Sequence, residues 1–160
     1  MDPNVCREHA AELLTEDARL LAELDDLLEY EYEVLESKDV EAIERTAKAR
    51  QERIGALAHI EEQCRSLCKL HGHSPDRIGL ERLLTWCDPE GSLMSRLQEC
   101  YERVTRCREL NDRNGTMVVA RLRHVEGQLA ILTGRTTAPN TYTQSGYASN
   151  SQPGRVLGAA

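Results

Sequence analysis

The chain has 160 residues, with 27 acidic side chains against 20 basic ones and a formal charge of −7. It contains no Phe, one Trp and five Tyr but 21 Leu, so the aromatic and β-branched residues that fill pleated surfaces are too scarce for a β-rich fold. Leu, Ala, Glu and Arg dominate, the mixture of long helices, and one domain with a tail suits the length. The longest apolar runs are a few residues, too short to span a bilayer. Met1-Asp2-Pro3 opens no basic-then-apolar leader, so the chain is read as cytosolic, without membrane insertion. In that compartment the six cysteines are expected to be thiols. Residues 1–62 carry 18 acids and 7 bases, and the remainder 9 acids and 13 bases. The acidic half disfavours nucleic acid, and the excess in the second half is too weak for a phosphate-binding surface. The asymmetry suits segments packing antiparallel against each other.

Asp2-Pro3 supplies an N-cap acceptor followed by Pro at the first helical position. Leu13, Leu20, Leu27 and Val34 then recur every seven residues, and Leu14, Leu21, Leu28 and Leu35 do so one step later, with Leu24 between them. Two adjacent rows make an apolar face that needs at least two partner helices, on a first helix over about 3–36. Ser37-Lys38-Asp39 breaks the pattern. Val40, Ile43, Ala47, Ile54, Leu57 and Ala58 resume it, and Cys64, Leu67, Cys68 and His71 carry it to Gly72, a plausible residue just past a helix C-terminus. So short a connection predicts an antiparallel hairpin. Ser74-Pro75 repeats the cap-plus-Pro device and opens a short helix with Ile78, Leu80, Leu83, Leu84 and Trp86, which Asp88-Pro89-Glu90-Gly91 turns. Ser92 starts the longest helix, through Leu93, Leu97, Cys100, Val104 and Cys107. That register next meets the amides Asn111 and Asn114, then Gly115, before the stripe returns as Val118, Leu122, Val125, Leu129 and Leu132. The amides divide the helix into a bundled part (92–110) and a C-terminal part (116–133), either as buried register-setting groups or because the seam is exposed there. Of residues 136–160, 16 are Gly, Pro, Ser, Thr, Asn or Gln, so this segment cannot bury enough apolar surface to offset its ordering entropy. The expectation is an all-α, elongated antiparallel hairpin or bundle over residues 1–134, with a long C-terminal helix and a disordered polar tail over residues 135–160. The tail's Tyr142 and Tyr147 stand out as contact points for a partner.

No phosphate loop, dinucleotide fingerprint or nucleophile elbow occurs, and a nucleophilic Cys would find only His71 and His73 as bases. The chain is therefore read as a non-enzyme, without cofactor or metal. Cys64, Cys68 and His71 share one helix face near His73 and could hold zinc. The spacing fits no strong zinc template, however, and the face continues the core stripe, where Cys acts as a small buried hydrophobe. The run Glu29-Tyr30-Glu31-Tyr32-Glu33 reads as a solvated helix face, because its side chains spread around the helix.

Asn111-Asp112-Arg113-Asn114-Gly115, then an amphipathic stretch ending Leu129-Ala130-Ile131-Leu132, then Thr141-Tyr142 with Gly146 four residues on, resembles the C-terminal signature of the FlgN family. The resemblance is specific over about residues 108–147 and architectural before that. It implies an all-helical cytosolic chaperone of type III flagellar export. Such a chaperone binds hook-associated (hook–filament junction) proteins by their C-terminal segments, prevents premature association and delivers them to the cytosolic domain of the export gate. Carried onto this chain, the partner-binding residues are Asn111, Asn114, Gly115, Met117, Val118, Leu122, Val125, Leu129 and Leu132, with Tyr142 at the export gate. An amphipathic helix with such anchors suits a partner helix. Two other readings compete with it: a homo-oligomeric coiled-coil scaffold that buries the 118–132 stripe against a copy of itself, and a thiol or metal sensor at Cys64, Cys68 and His71.

Overall fold

The computed structural model describes residues 2–134, which form four helices and, among those residues, no strand. Helix α1 spans Pro3–Ser37, α2 Val40–Leu70, α3 Arg77–Cys87 and α4 Ser92–Leu132. The described residues divide into two units, one up to Ala120 and one from Arg121 on. The predicted polar tail, residues 135–160, lies outside the described residues.

Local chemistry accounts for each boundary. The Asp2 carboxylate accepts the Asn4 amide at 2.9 Å, with Pro3 at the first helical position. Helix α1 ends at Lys38, whose φ of 63° is left-handed, and the Asp39 carboxylate immediately caps α2 through the Ala42 amide at 3.0 Å. At the far end of α2, the amide of His73 donates to the Cys68 carbonyl and that of Gly72 to the Lys69 carbonyl. This closing pattern requires the positive φ of 76° that Gly72 adopts. Helix α3 is capped by Asp76, not by Ser74 as the cap-plus-Pro reading expects. The Asp76 carboxylate reaches the Gly79 amide at 2.8 Å, and the Ser74 hydroxyl orients it at 2.9 Å. Ser74 also lies so close to α3 that a Cβ at Gly79 would collide with its carbonyl oxygen, so this helical glycine is required sterically.

Both seven-residue rows of α1 are used, because α1 is central in the first unit. Leu13, Leu14, Leu20, Leu21, Leu24 and Leu28 are buried, and Leu27 is half-buried. At one end Cys6, Ala10 and Leu14 of α1 pack with Leu67 and Cys68 of α2, Leu83 and Leu84 of α3, and Leu93 and Leu97 of α4. Further along, Leu24 and Leu28 meet Cys107 and Leu110 of α4. Helix α2 is less buried than its stripe predicts, with Val40 and Ile54 exposed; on α3, Ile78 and Trp86 are exposed, and Trp86 packs against the His71 ring.

Helices α1 and α2 form the antiparallel hairpin, and α4 runs parallel to α1. Arg96 reaches Thr15, Arg106 reaches Asp25, the Cys107 thiol reaches the Leu21 carbonyl, and Asn114 reaches the Leu28 carbonyl, at near-constant separations of 81 to 86 residues. Acidic α1 thus meets basic α4 in parallel and not, as expected from charge, antiparallel. The short α3 returns the chain to the beginning of α1 before α4 sets out.

Helix α4 is started by Asp88. Its buried carboxylate accepts the Leu93 amide at 2.7 Å and the Ser92 hydroxyl at 2.9 Å, while Arg7 stands 3.3 Å from its other oxygen. The Leu93 bond above all, then Ser92 and Arg7, hold this carboxyl below the usual Asp range. A depressed folded-state value means the contribution is complete above the unfolded Asp pKa, about 3.9, and is lost as pH falls through the folded value. Asp88→Ala is expected to lower stability at neutral pH by about 1 kcal/mol, as for a lost helix cap. The mutant's deficit should shrink below about pH 4 in acid titrations of unfolding. A deficit unchanged across that range would contradict the assignment.

Candidate partner-binding site

Halfway along α4 the apolar register is interrupted by Asn114, which is 1% exposed. Its amide donates to the Leu28 carbonyl at 2.8 Å and to the Glu31 carboxylate at 2.9 Å. Glu31, 5% exposed, also accepts from Arg50 of α2 at 3.1 Å. One polar knot therefore joins α1, α2 and α4. Beside it, Arg113 donates to Glu29 at 2.9 Å and lies 4.1 Å over the Tyr32 ring, while Arg106 spans Asp25 and Glu29. The Glu29–Glu33 run is thus no uniformly solvated face: Glu31 is inside, Glu29 holds α4, and Tyr32 carries a cation. The register-setting reading of Asn114 is the one the structure adopts.

Beyond Asn114 no residue up to Gly134 is buried. Val118 is 40% exposed, Leu122 57%, Val125 50%, Leu129 54% and Leu132 83%, along one face of the helix. Met117 is half-buried, and Asn111 and Gly115 are exposed. The structure therefore brings Val118, Leu122, Val125, Leu129 and Leu132 together as an uncovered stripe and places Asn114 inside the bundle. Tyr142 lies outside the described residues. Gly115 has open space around its missing Cβ, so nothing steric demands glycine there.

The sequence does not single out Arg50 or the Arg106/Arg113 pair, and Glu31 figures in it only as part of the solvated Glu29–Glu33 run. A signal existed, since Arg106 and Arg113 are seven residues apart and flank the α4 core register. The first unit also carries an open groove of about 950 Å³, absent from the sequence reading. Its floor is Leu21, Leu24 and Leu28 of α1, and its walls include Ile54 and Leu57 of α2 and Val104 of α4. Asp17 lines it too; burial, reinforced by Glu61, raises its carboxyl above the usual range against a stabilising bond to the Cys100 thiol.

The six cysteines are free, and all but Cys64 are buried. Burial pushes the thiols of Cys6 and Cys100 up to about 12 and that of Cys64 to about 11. It raises Cys68, Cys87 and Cys107 as well. Among the described residues no group of three or more His, Cys, Asp or Glu is placed to hold a metal ion. Cys68, with Cys64 beside it, packs into the core that α2 shares with α1, and His71 packs against Trp86 of α3.

Four helices, a buried polar knot and a long uncovered apolar stripe define an all-helical protein. The family model described as FlgN protein matches residues 7–150, so the chain belongs to the FlgN family, chaperones of flagellar export. No curated protein and no solved structure matches it significantly. None of its described helices is long and apolar enough to cross a membrane.

Two outcomes follow. Asn114→Ala strands the buried Glu31 carboxylate without its amide donor and should cost about 1–3 kcal/mol in urea unfolding; a neutral effect would remove the knot from the account. The cysteines, held as protonated thiols, should react with a disulfide-exchange reagent at neutral pH slowly when native and completely on unfolding. Rapid native labelling of Cys6, Cys68 or Cys87 would contradict their burial.

Proposed function

We propose that the chain binds a hook–filament junction protein in the cytoplasm before export, through the α4 stripe from Met117 to Leu132, and delivers it to the cytosolic domain of the export gate. Membership of the flagellar export chaperone family supports the role. The observation that carries the site is the change along α4, from buried Leu93, Leu97, Cys107 and Leu110 to exposed Val118, Leu122, Val125, Leu129 and Leu132. An apolar helix face with anchors at three- and four-residue steps suits a partner's amphipathic helix, and covering it would mask the partner's own self-associating face. Asn111 and Gly115 border the stripe, while Asn114 contributes by fixing where α4 stops packing on α1. Tyr142 follows within ten residues of Leu132, and an aromatic ring there can bury a large area at the cost of two side-chain torsions. In this proposal it serves the gate and the stripe serves cargo.

Leu122→Asp, Val125→Asp or Leu129→Asp would each place a charge against apolar partner surface. Each is expected to weaken cargo binding by at least about 2 kcal/mol, roughly thirtyfold. The circular dichroism of the free protein should be unchanged, because these residues are exposed in it. Tyr142→Ala should leave cargo affinity intact and weaken capture of the loaded chaperone by the gate domain. Calorimetric titration with a purified junction protein, then with the gate domain, checks both. Cargo binding untouched by all three stripe variants would overturn the proposed site.

A further inference from the structure

Beyond Asn114, helix α4 is held by its own backbone alone. No residue from Gly115 to Gly134 is buried, and among the described residues no ion pair involves a residue past Arg113. The end of this segment is still specified. The Thr133 amide donates to the Leu129 carbonyl at 2.9 Å and the Gly134 amide to the Ile131 carbonyl at 3.3 Å, and Gly134 takes the positive φ of 64° that such a close favours. Inside the segment stand two further glycines, Gly115 and Gly127, and neither position demands glycine. Both lie in the helix without a positive φ, and a Cβ at either would meet open space. Gly79 of α3 differs, because Ser74 crowds it. Gly55 of α2 is as open, but its neighbours Ala56, Leu57 and Ile60 are packed on the core and hold that helix. A glycine in a helix interior shifts the local helix–coil balance about fivefold towards coil relative to alanine. The β-branched Thr116, Val118, Val119 and Val125 push the same way. Packing, the usual source of helical stability in proteins, is missing here.

We infer that the stripe is a conditional helix: in the free chain α4 frays back towards Gly127 and Gly115, a partner on the stripe completes it, and the two glycines set how tightly cargo is held. The inference rests on the proposed cargo role of the stripe and adds its regulation. A binder whose competent form is only partly populated holds its partner more weakly by that fraction, which suits a cargo that must be let go at export. At about 100° per residue, Gly127 faces away from Leu122, Val125 and Leu129. A partner on the stripe does not touch it, so a substitution there acts through the helix alone.

Gly127→Ala tests it in the full chain, with Gly55→Ala as the control. Amide hydrogen exchange reads the free protein, and calorimetric titration with a purified hook–filament junction protein reads binding. In wild type the amides of 128–132 should exchange far faster than those of 107–110. Gly127→Ala should slow them about two- to fivefold and lower the dissociation constant by a similar factor, with the propensity difference as the ceiling. Gly55→Ala should change neither. Exchange at 128–132 as slow in wild type as at 107–110, or unaltered by Gly127→Ala, would show a helix already complete and overturn the inference. Slowed exchange with unchanged affinity would overturn it too, as would an equal gain from Gly55→Ala. A junction protein that binds neither wild type nor variant, while Gly127→Ala still slows exchange, would instead overturn the proposed function, and ordering by cargo would fall with it.

Discussion

Everything the first unit does with α4 depends on one buried side-chain amide. Asn114 sits where the heptad register calls for a leucine, and its two N–H groups are spent on the Leu28 carbonyl and the Glu31 carboxylate. A carboxylate inside a helical bundle is costly unless satisfied, and Glu31 is satisfied only when α2 delivers Arg50 and α4 delivers Asn114 at the same height. A slip of α4 by one turn would leave that carboxylate without its amide donor. The knot therefore sets the axial register of three helices, and apolar packing, which tolerates sliding, supplies the bulk of the burial.

That register has a consequence for binding. With α4 held at Asn114, the core-register residues from Leu93 to Leu110 are buried and the apolar stripe from Val118 to Leu132 is exposed. Leu110 is 7% exposed and Leu122 57% exposed, although both are leucines on one continuous helix. The difference lies in what α1 offers: its buried rows end at Val34 and Leu35, and the chain turns at Lys38. Helix propensity and side-chain type carry α4 onward, and the apolar stripe carries on with it. A surface of that kind is costly in water and is retained where a partner covers it.

The helices were legible because their signals are local. Asp2, Asp39 and Gly72 stand at boundaries where their backbone or side-chain chemistry is used, and the double leucine rows of α1 announce a helix with more than one neighbour. Long-range relations were less so. The capping of α3 by Asp76 and the pressure of Ser74 on Gly79 depend on how a loop folds back, and Pro75 disguises both. Glu31 could not be separated from Glu29 and Glu33 by composition, since only the approach of Arg50 and Asn114 makes it the buried one. The direction of α4 relative to α1 is invisible to charge counting, because opposite charges pair equally well in parallel and antiparallel arrangements. The groove, a gap between helices, has no sequence signature at all. The family, by contrast, was legible from the Asn111–Gly115 motif and the stripe after it, and the family match extends the relation over residues 7–150.

Under the proposed function, α4 beyond Asn114 is an open surface that a flagellar cargo covers. Amide hydrogen exchange of the dilute protein, free and saturated with a purified junction protein, measures this most directly. Fast exchange is expected at 121–132 in the free chain, with strong added protection there in the complex and no change at 24–31 or 107–114, where the knot already protects the backbone. Equal exchange at 121–132 in both states, with new protection confined to another part of the chain, would contradict it.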